Sequence, residues 1–165
     1  MKKLTSTLGI LMLWVLTSVP AAFAYDSWNY PEFNQDITVM KSGKLHVVET
    51  IKADFTKDSH RGITRSIPLG YTNQFGNPLN LRFNLISVTD ENGNSHPLAE
   101  NGEDWGEYFL RIGDANIWHD EVMTYVITYE VQRAILYFDD HDELYWNVFT
   151  YSDVPALSST VTVHL

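Results

Sequence analysis

The sequence predicts an all-β domain: an antiparallel two-sheet β-sandwich, immunoglobulin-like or jelly-roll-like, of about seven to nine strands. Three observations predict it. Apolar and polar residues alternate over a series of short runs, the period of half-buried strands. Gly, Asn and Pro separate those runs at turn positions. No run keeps the apolar spacing of an amphipathic helix. A small barrel is the alternative architecture.

Residues 1–24, MKKLTSTLGILMLWVLTSVPAAFA, read as a secretory signal peptide. Lys2 and Lys3 make its positive start and Leu8 to Val19 its apolar centre. Ala22 and Ala24 are the small residues before a cut at Tyr25. The apolar centre is short for a membrane span. Residues 25–165 are then expected to form one sandwich domain. Residues 25–34, aromatic and polar, read as a lead-in. Ile37 and Val39 belong to a first strand, and Lys41-Ser42-Gly43-Lys44 turns the chain. Leu45, Val47, Glu49, Ile51, Ala53 and Phe55 share one face of the second strand. Glu49 breaks that apolar row, which predicts that part of it lies near an edge or opening. Residues 56–80 read as irregular, with Ile63, Ile67 and Leu69 forming a short strand or a plug under a sheet. In 81–90 the apolar parity switches between Leu85 and Ile86, which predicts a bulge or a change of face. Glu91-Asn92-Gly93-Asn94 supplies a turn, and 99–106 reads as an exposed acidic loop. Tyr108, Leu110 and Ile112 form a short strand, and Val122 to Val131 the longest one. Alternation continues from Ile135 to Val148 around the polar run 139–143. The final strand, within 157–165, runs to the last residue and needs a neighbour.

Composition removes several functions. The 165 residues contain 11 Lys plus Arg against 21 Asp plus Glu, a formal charge of −10. Loss of Lys2 and Lys3 with the leader makes this two units more negative. Nucleic acid is therefore not an expected partner. There is no Cys, hence no disulfide, thiolate nucleophile or Cys-ligated zinc. No nucleophile elbow, zincin or phosphate-loop pattern occurs. Ser59-His60 and Ser95-His96 put a hydroxyl beside an imidazole, but neighbours on a strand face opposite ways. No catalytic residues and no cofactor are assigned.

The densest polar cluster is Asp139-Asp140-His141-Asp142-Glu143. Acidic oxygens with an imidazole suit a weakly bound calcium or another divalent cation, with Asp139, His141 and Glu143 as metal-ligand candidates. Those three share a side only if the segment is extended. The plain alternative is a solvated acidic turn. Arg61 and Arg65 flank Gly62-Ile63-Thr64. They brace a loop against Glu49 or the 139–143 cluster, or simply lie on the surface, or contact an anion or glycan. Trp105, inside the acidic loop, is the aromatic expected to be exposed and to meet a ligand, whereas Tyr125 and Trp146 are expected in the core.

HRGITRSIPLG (60–70), SVTDENGN (87–94), TYVITYEV (124–131), FDDHDELYWNVF (138–149) and TVTVHL (160–165) together resemble the N-terminal domain of a bacterial family of predicted membrane proteins, a domain of unknown function. The resemblance implies a plan of signal peptide, this β domain outside the membrane, then transmembrane helices and a low-complexity tail. It implies export to the periplasmic or extracellular side of the bacterial cytoplasmic membrane. The chain is then the N-terminal part of a longer membrane protein, or a short member working beside a membrane partner. The family supplies no catalytic residues. Arg61, Arg65, Asp139, Asp140, Asp142, Glu143, Tyr145, Trp146 and Asn147 match its motifs. The expected function is non-enzymatic contact with an envelope or membrane protein. The alternatives are a carbohydrate- or cation-binding module and, after it, a hydrolase whose site is assembled from distant residues.

Overall fold

The computed structural model describes residues 27–72, 76, 78–149 and 154–165. The leader assigned to 1–24 lies outside them. Twelve strands and no helix are found among the described residues. Strands β1 (Asn29–Val39) and β2 (Leu45–Asp54) form the expected first hairpin, with Val39 opposite Leu45. Strand β9 (Val122–Gln132), rich in Val, Ile, Thr and Tyr, pairs antiparallel with β2 along its length. Strand β6 (Arg82–Thr89) pairs with β9, and its register shifts between Leu85 and Ser87, where the apolar parity switches. Strand β12 (Ser159–His164) lies on the outer side of β1, giving the order β12-β1-β2-β9-β6. A second sheet has the order β3-β8-β7, from Gly62–Pro68, Glu107–Gly113 and Leu98–Asp104. Strands β4 (Gly70–Thr72) and β5 (Pro78–Asn80) form one small ribbon, and β10 (Ile135–Tyr137) and β11 (Asp142–Leu144) another.

The inward rows of the two sheets make one core. Val47, Ile51, Tyr125, Ile127 and Tyr129 come from the large sheet, and Ile63, Ile67, Leu110 and Ile112 from the small one. The two-sheet sandwich is therefore as the alternation predicts.

Four local expectations are corrected or sharpened. From Asn29 the lead-in is strand: β1 begins there, and Pro31 fits because it sits where the β1–β2 register shifts between Asn29 and Glu32. A bulge releases a position from donating to the ladder, which proline needs. Within the 56–80 stretch, the short strand considered for Ile63, Ile67 and Leu69 is β3, which occupies 62–68 and places Ile63 and Ile67 in the core. The 99–106 segment is exposed but is mostly strand β7, paired with β8 through a two-residue turn, Trp105-Gly106. Last, β12 pairs with β1 in parallel, from Phe33 with Ser159 to Thr38 with His164. It is the parallel member of an otherwise antiparallel set, because the chain enters beside Tyr30, where Leu157 N–H donates to the Tyr30 carbonyl at 2.8 Å.

Three buried tyrosines give the fold a pH limit. Burial pushes the Tyr30 hydroxyl up to about 12, with the Arg65 charge acting the other way. Burial also raises Tyr125 and Tyr129. A pKa raised by folding contributes stability that is complete below the unfolded value of about 10 and lost as pH climbs toward the folded value. Each such tyrosine costs about 1.4 kcal/mol per pH unit in that window. The urea midpoint is expected to hold steady to about pH 9.5 and then to fall steeply toward pH 11. A midpoint unchanged across this window would contradict the assignment.

Candidate functional site

Glu49 is the residue around which the site is built. Side chains alternate along β2, so Glu49 shares the inward row of Val47 and Ile51 and is 0% exposed. The expectation that Glu49 marks an edge or opening is thus wrong: it lies in the core, because its charge is met there. Arg65 meets it from the other sheet, carried inward on β3 between Ile63 and Ile67. Its Nε donates to Glu49 Oε2 at 2.8 Å and its Nη2 to Oε1 at 2.8 Å. This bidentate arrangement is the strong form of a carboxylate pair.

The remaining bonding capacity is also used. Gln35, the register partner of Glu49 on β1, donates from Nε2 to Oε1 at 2.6 Å. The Tyr129 hydroxyl on β9 donates to the same oxygen at 2.7 Å. Arg65 Nη1 donates to the Ser66 carbonyl at 2.7 Å. Trp146 Nε1 donates to Gln35 Oε1 at 3.0 Å, and Gln35 Nε2 reaches the Val148 carbonyl at 3.2 Å. One polar network therefore ties both sheets to the 146–148 segment. Burial works against the Arg65 charge, but the Glu49 carboxylate outweighs it and holds the guanidinium pKa above its usual value. Burial, then the Glu49 charge, pushes Tyr129 well above the usual phenol range. Neither group exchanges a proton near neutral pH, so the cluster acts as a clamp.

Beside the clamp a cleft of about 700 Å³ opens, a volume typical of ligand sites. It is lined by Trp28, Tyr30 and Phe33 from the start of β1, by residues 60–66, and by Trp118 and Phe149. The aromatic groups hold one another. Trp28 packs on Tyr30, Phe55 and His60, and Phe33 packs on Phe149 at 4.9 Å. The Arg61 guanidinium lies 4.1 Å over the Trp118 ring.

The sequence candidates fall in three places. Arg61 and Arg65 share the cleft, and Arg65 is braced on Glu49, one of the two partners considered for it. Asp139, Asp140, His141, Asp142 and Glu143 lie outside the cleft. Asp139 and Asp140 sit in the bend between β10 and β11, His141 bonds to Asp140 at 2.7 Å and stacks on Phe138, and Asp142 and Glu143 open β11. The bend breaks the alternation that an extended segment would have given. Among the described residues, no group of three His, Cys, Asp or Glu is placed to hold a metal ion. Tyr125 is in the core as expected, and Trp146 is partly buried against it. Tyr145 stacks on Tyr71, and Asn147 is exposed.

Trp105 occupies the third place. It is 96% exposed at the β7–β8 turn with φ of 48°. A left-handed residue followed by Gly106 suits a tight hairpin turn, in which Asn-Gly is the favoured pair. Trp105→Asn is expected to raise stability by about 0.5–1 kcal/mol, since Asn tolerates this backbone better. A lower melting temperature for that variant would show that the indole makes a stabilising contact.

Sequence reasoning missed Gln35 and Tyr129 as parts of the clamp, and Trp28 and Trp118 as parts of the cleft. A usable signal was present: Glu49 and Arg65 are opposite charges, each placed on an otherwise apolar strand row.

Fold and site together define an all-β sandwich whose sheets are joined by a buried ion pair beside an aromatic cleft. The family described as "Predicted membrane protein (DUF2207) N-terminal domain" matches residues 29–165, and the chain belongs to that family. No curated protein matches it. Among solved structures it is similar to native yeast LTA4 hydrolase, at 10% identity and a TM-score of 0.41, over 65% of this chain and 15% of that one. It is similar also to native leukotriene A4 hydrolase from Saccharomyces cerevisiae, at 11% identity and a TM-score of 0.39, again over 65% and 15%. The chain thus spans 15% of the length of these enzymes, and so partial a likeness says nothing of activity. No helix among the described residues is long and apolar enough to cross a membrane.

Proposed function

We propose that this domain is an exported contact module that docks an envelope or membrane protein through the edge strand β12. The observation that carries the reading is the state of that edge. Val161 and Val163 stand opposite Gln35 and Ile37, whose side chains are buried, so the valines share the inward face of the sheet. They are nevertheless 42% and 45% exposed. The apolar row thus runs past the core, on a strand paired on one side only among the described residues. Exposed edges of this kind accept a further strand or an apolar partner surface. Family membership supports a partner at a membrane.

The test uses the natural polypeptide in its own cells. A photo-crosslinking residue in place of Val163 is expected to give an adduct with an envelope protein, identified by mass spectrometry. The same residue in place of Glu91, on the exposed turn after β6, is expected to give none. Adding Val161→Lys to the Val163 probe is expected to abolish the adduct. Equal yields at the two positions, or none at either, would sink the reading. Export has its own check: the protein from the envelope fraction is expected to begin at Tyr25, and a form retaining Met1 in the cytosol would contradict it.

A further inference from the structure

We propose that the cleft between the start of β1 and β3 binds an extended peptide segment bearing a carboxylate, and that Arg61 receives the carboxylate. This is a second contact surface, independent of β12. The first observation is charge. In a chain of formal charge −10, the described cleft lining contains Arg61, Arg65 and Arg111 against a single acid, Asp114. Three of these four are already engaged. Arg65 is consumed by Glu49, Arg111 bonds Glu100 at 3.1 Å, and Asp114 accepts from the backbone and side-chain nitrogens of Asn116.

Arg61 differs. Among the described residues it has no carboxylate within ion-pair distance, and its contact is the Trp118 ring face. A guanidinium resting on an indole face is held in position while its in-plane N–H groups stay available, which suits bidentate capture of a carboxylate. Trp118 is 59% exposed, so the pair stands at the mouth of the cleft rather than under it.

The body of the ligand follows from the walls. Trp28, half-buried, and Phe149, 43% exposed, offer apolar surface for a side chain next to the acid. A stacked sugar fits less well, because Trp28 is already covered by Tyr30, Phe55 and His60, and Trp118 carries Arg61. Strand β3 is the edge of its sheet, and Gly62, Ile63 and Thr64 line the cleft in succession. An extended main chain is the partner shape that a strand edge accommodates.

The test is a titration of the folded chain, followed by NMR. One probe is a pool of short N-acetylated peptide amides with a central Glu and flanks randomised among Val, Ile, Phe, Tyr and Thr. The second pool has Gln in place of the Glu, and the third probe is N-acetylglutamate alone. The Glu pool is expected to shift the Trp118 indole N–H and the amides of residues 61–64, and to bind about tenfold more tightly than the Gln pool. Arg61→Gln is expected to erase that preference. It is expected to leave the melting temperature in place, because Arg61 is exposed and outside the clamp. Equal binding of the two pools, a preference that survives Arg61→Gln, or no shift at those resonances would each overturn the proposal. N-acetylglutamate binding as tightly as the Glu pool would overturn the peptide assignment in favour of a small carboxylate.

Discussion

Replacing Arg65 with Met is expected to destabilise the folded domain by about 3–5 kcal/mol. The variant leaves the Glu49 carboxylate 0% exposed with only Gln35 and Tyr129 donating to it. An uncompensated buried charge is among the largest single-site costs known, against a total stability of about 5–15 kcal/mol for a domain. Removing both charges is a different experiment. Glu49→Leu combined with Arg65→Met is expected to recover much of the loss, since the desolvation of both ions disappears together. It still strands the Tyr129 hydroxyl, at about 1–3 kcal/mol for a group left unpaired, while the Gln35 amide keeps its bonds with the Val148 carbonyl and the Trp146 indole. The double variant is therefore expected to fall between the wild type and Arg65→Met. Urea unfolding of the four forms gives the coupling energy directly. Additive losses, with no coupling, would mean that the two residues do not act as a pair.

Much of the fold was legible because it rests on local alternation. The first hairpin, β9 and the parity switch at Leu85 and Ile86 all follow from period-two patterning, and the register shift in β6 falls where the pattern breaks. The strand at 62–68 was harder to see. Its Gly and Pro neighbours suggest loop, and only pairing with β8, distant in sequence, makes it regular. The same distance hid the clamp. Gln35, Glu49, Arg65, Tyr129 and Trp146 come from four strands and the segment after β11, so no window of sequence contains them together. The short acidic cluster at 139–143 was conspicuous for the opposite reason. Contiguity concentrates charge on the page, but in a bend the side chains are left largely to solvent, with the His141–Asp140 contact formed between neighbours and no group of three converging among the described residues. The Arg61 and Arg65 motif splits in the fold: Arg65 is braced on Glu49, and Arg61 is exposed. Alternation puts 61 and 65 on one parity of a strand, yet β3 begins at Gly62, and that start leaves Arg61 exposed while Arg65 goes inward.

That start depends on two glycines, and the second large effect is expected there. Gly62 and Gly113 face each other across β3 and β8, with φ of 142° and 139°. A Cβ added to Gly62 would overlap the Ile112 carbonyl oxygen, and one added to Gly113 would overlap the carbonyl oxygen of Arg61. Both obstacles are backbone, so no rotamer change relieves them. Gly62→Ala is expected to cost about 3 kcal/mol or more, from a backbone region that side chains avoid and from steric overlap. Gly102→Ala separates the two causes. Gly102 has φ of 157° but nothing within 4 Å of an added Cβ, so it carries the conformational cost without the overlap. It is expected to lose about 1 kcal/mol. If Gly62→Ala and Gly102→Ala destabilise equally, close approach is not the reason glycine stands at 62. If Gly62→Ala is much the worse, the glycine pair is what brings the Arg61 backbone against β8. Gly113→Ala, which presses on the Arg61 carbonyl, is then expected also to weaken the Glu-over-Gln peptide preference in whatever fraction of the protein remains folded.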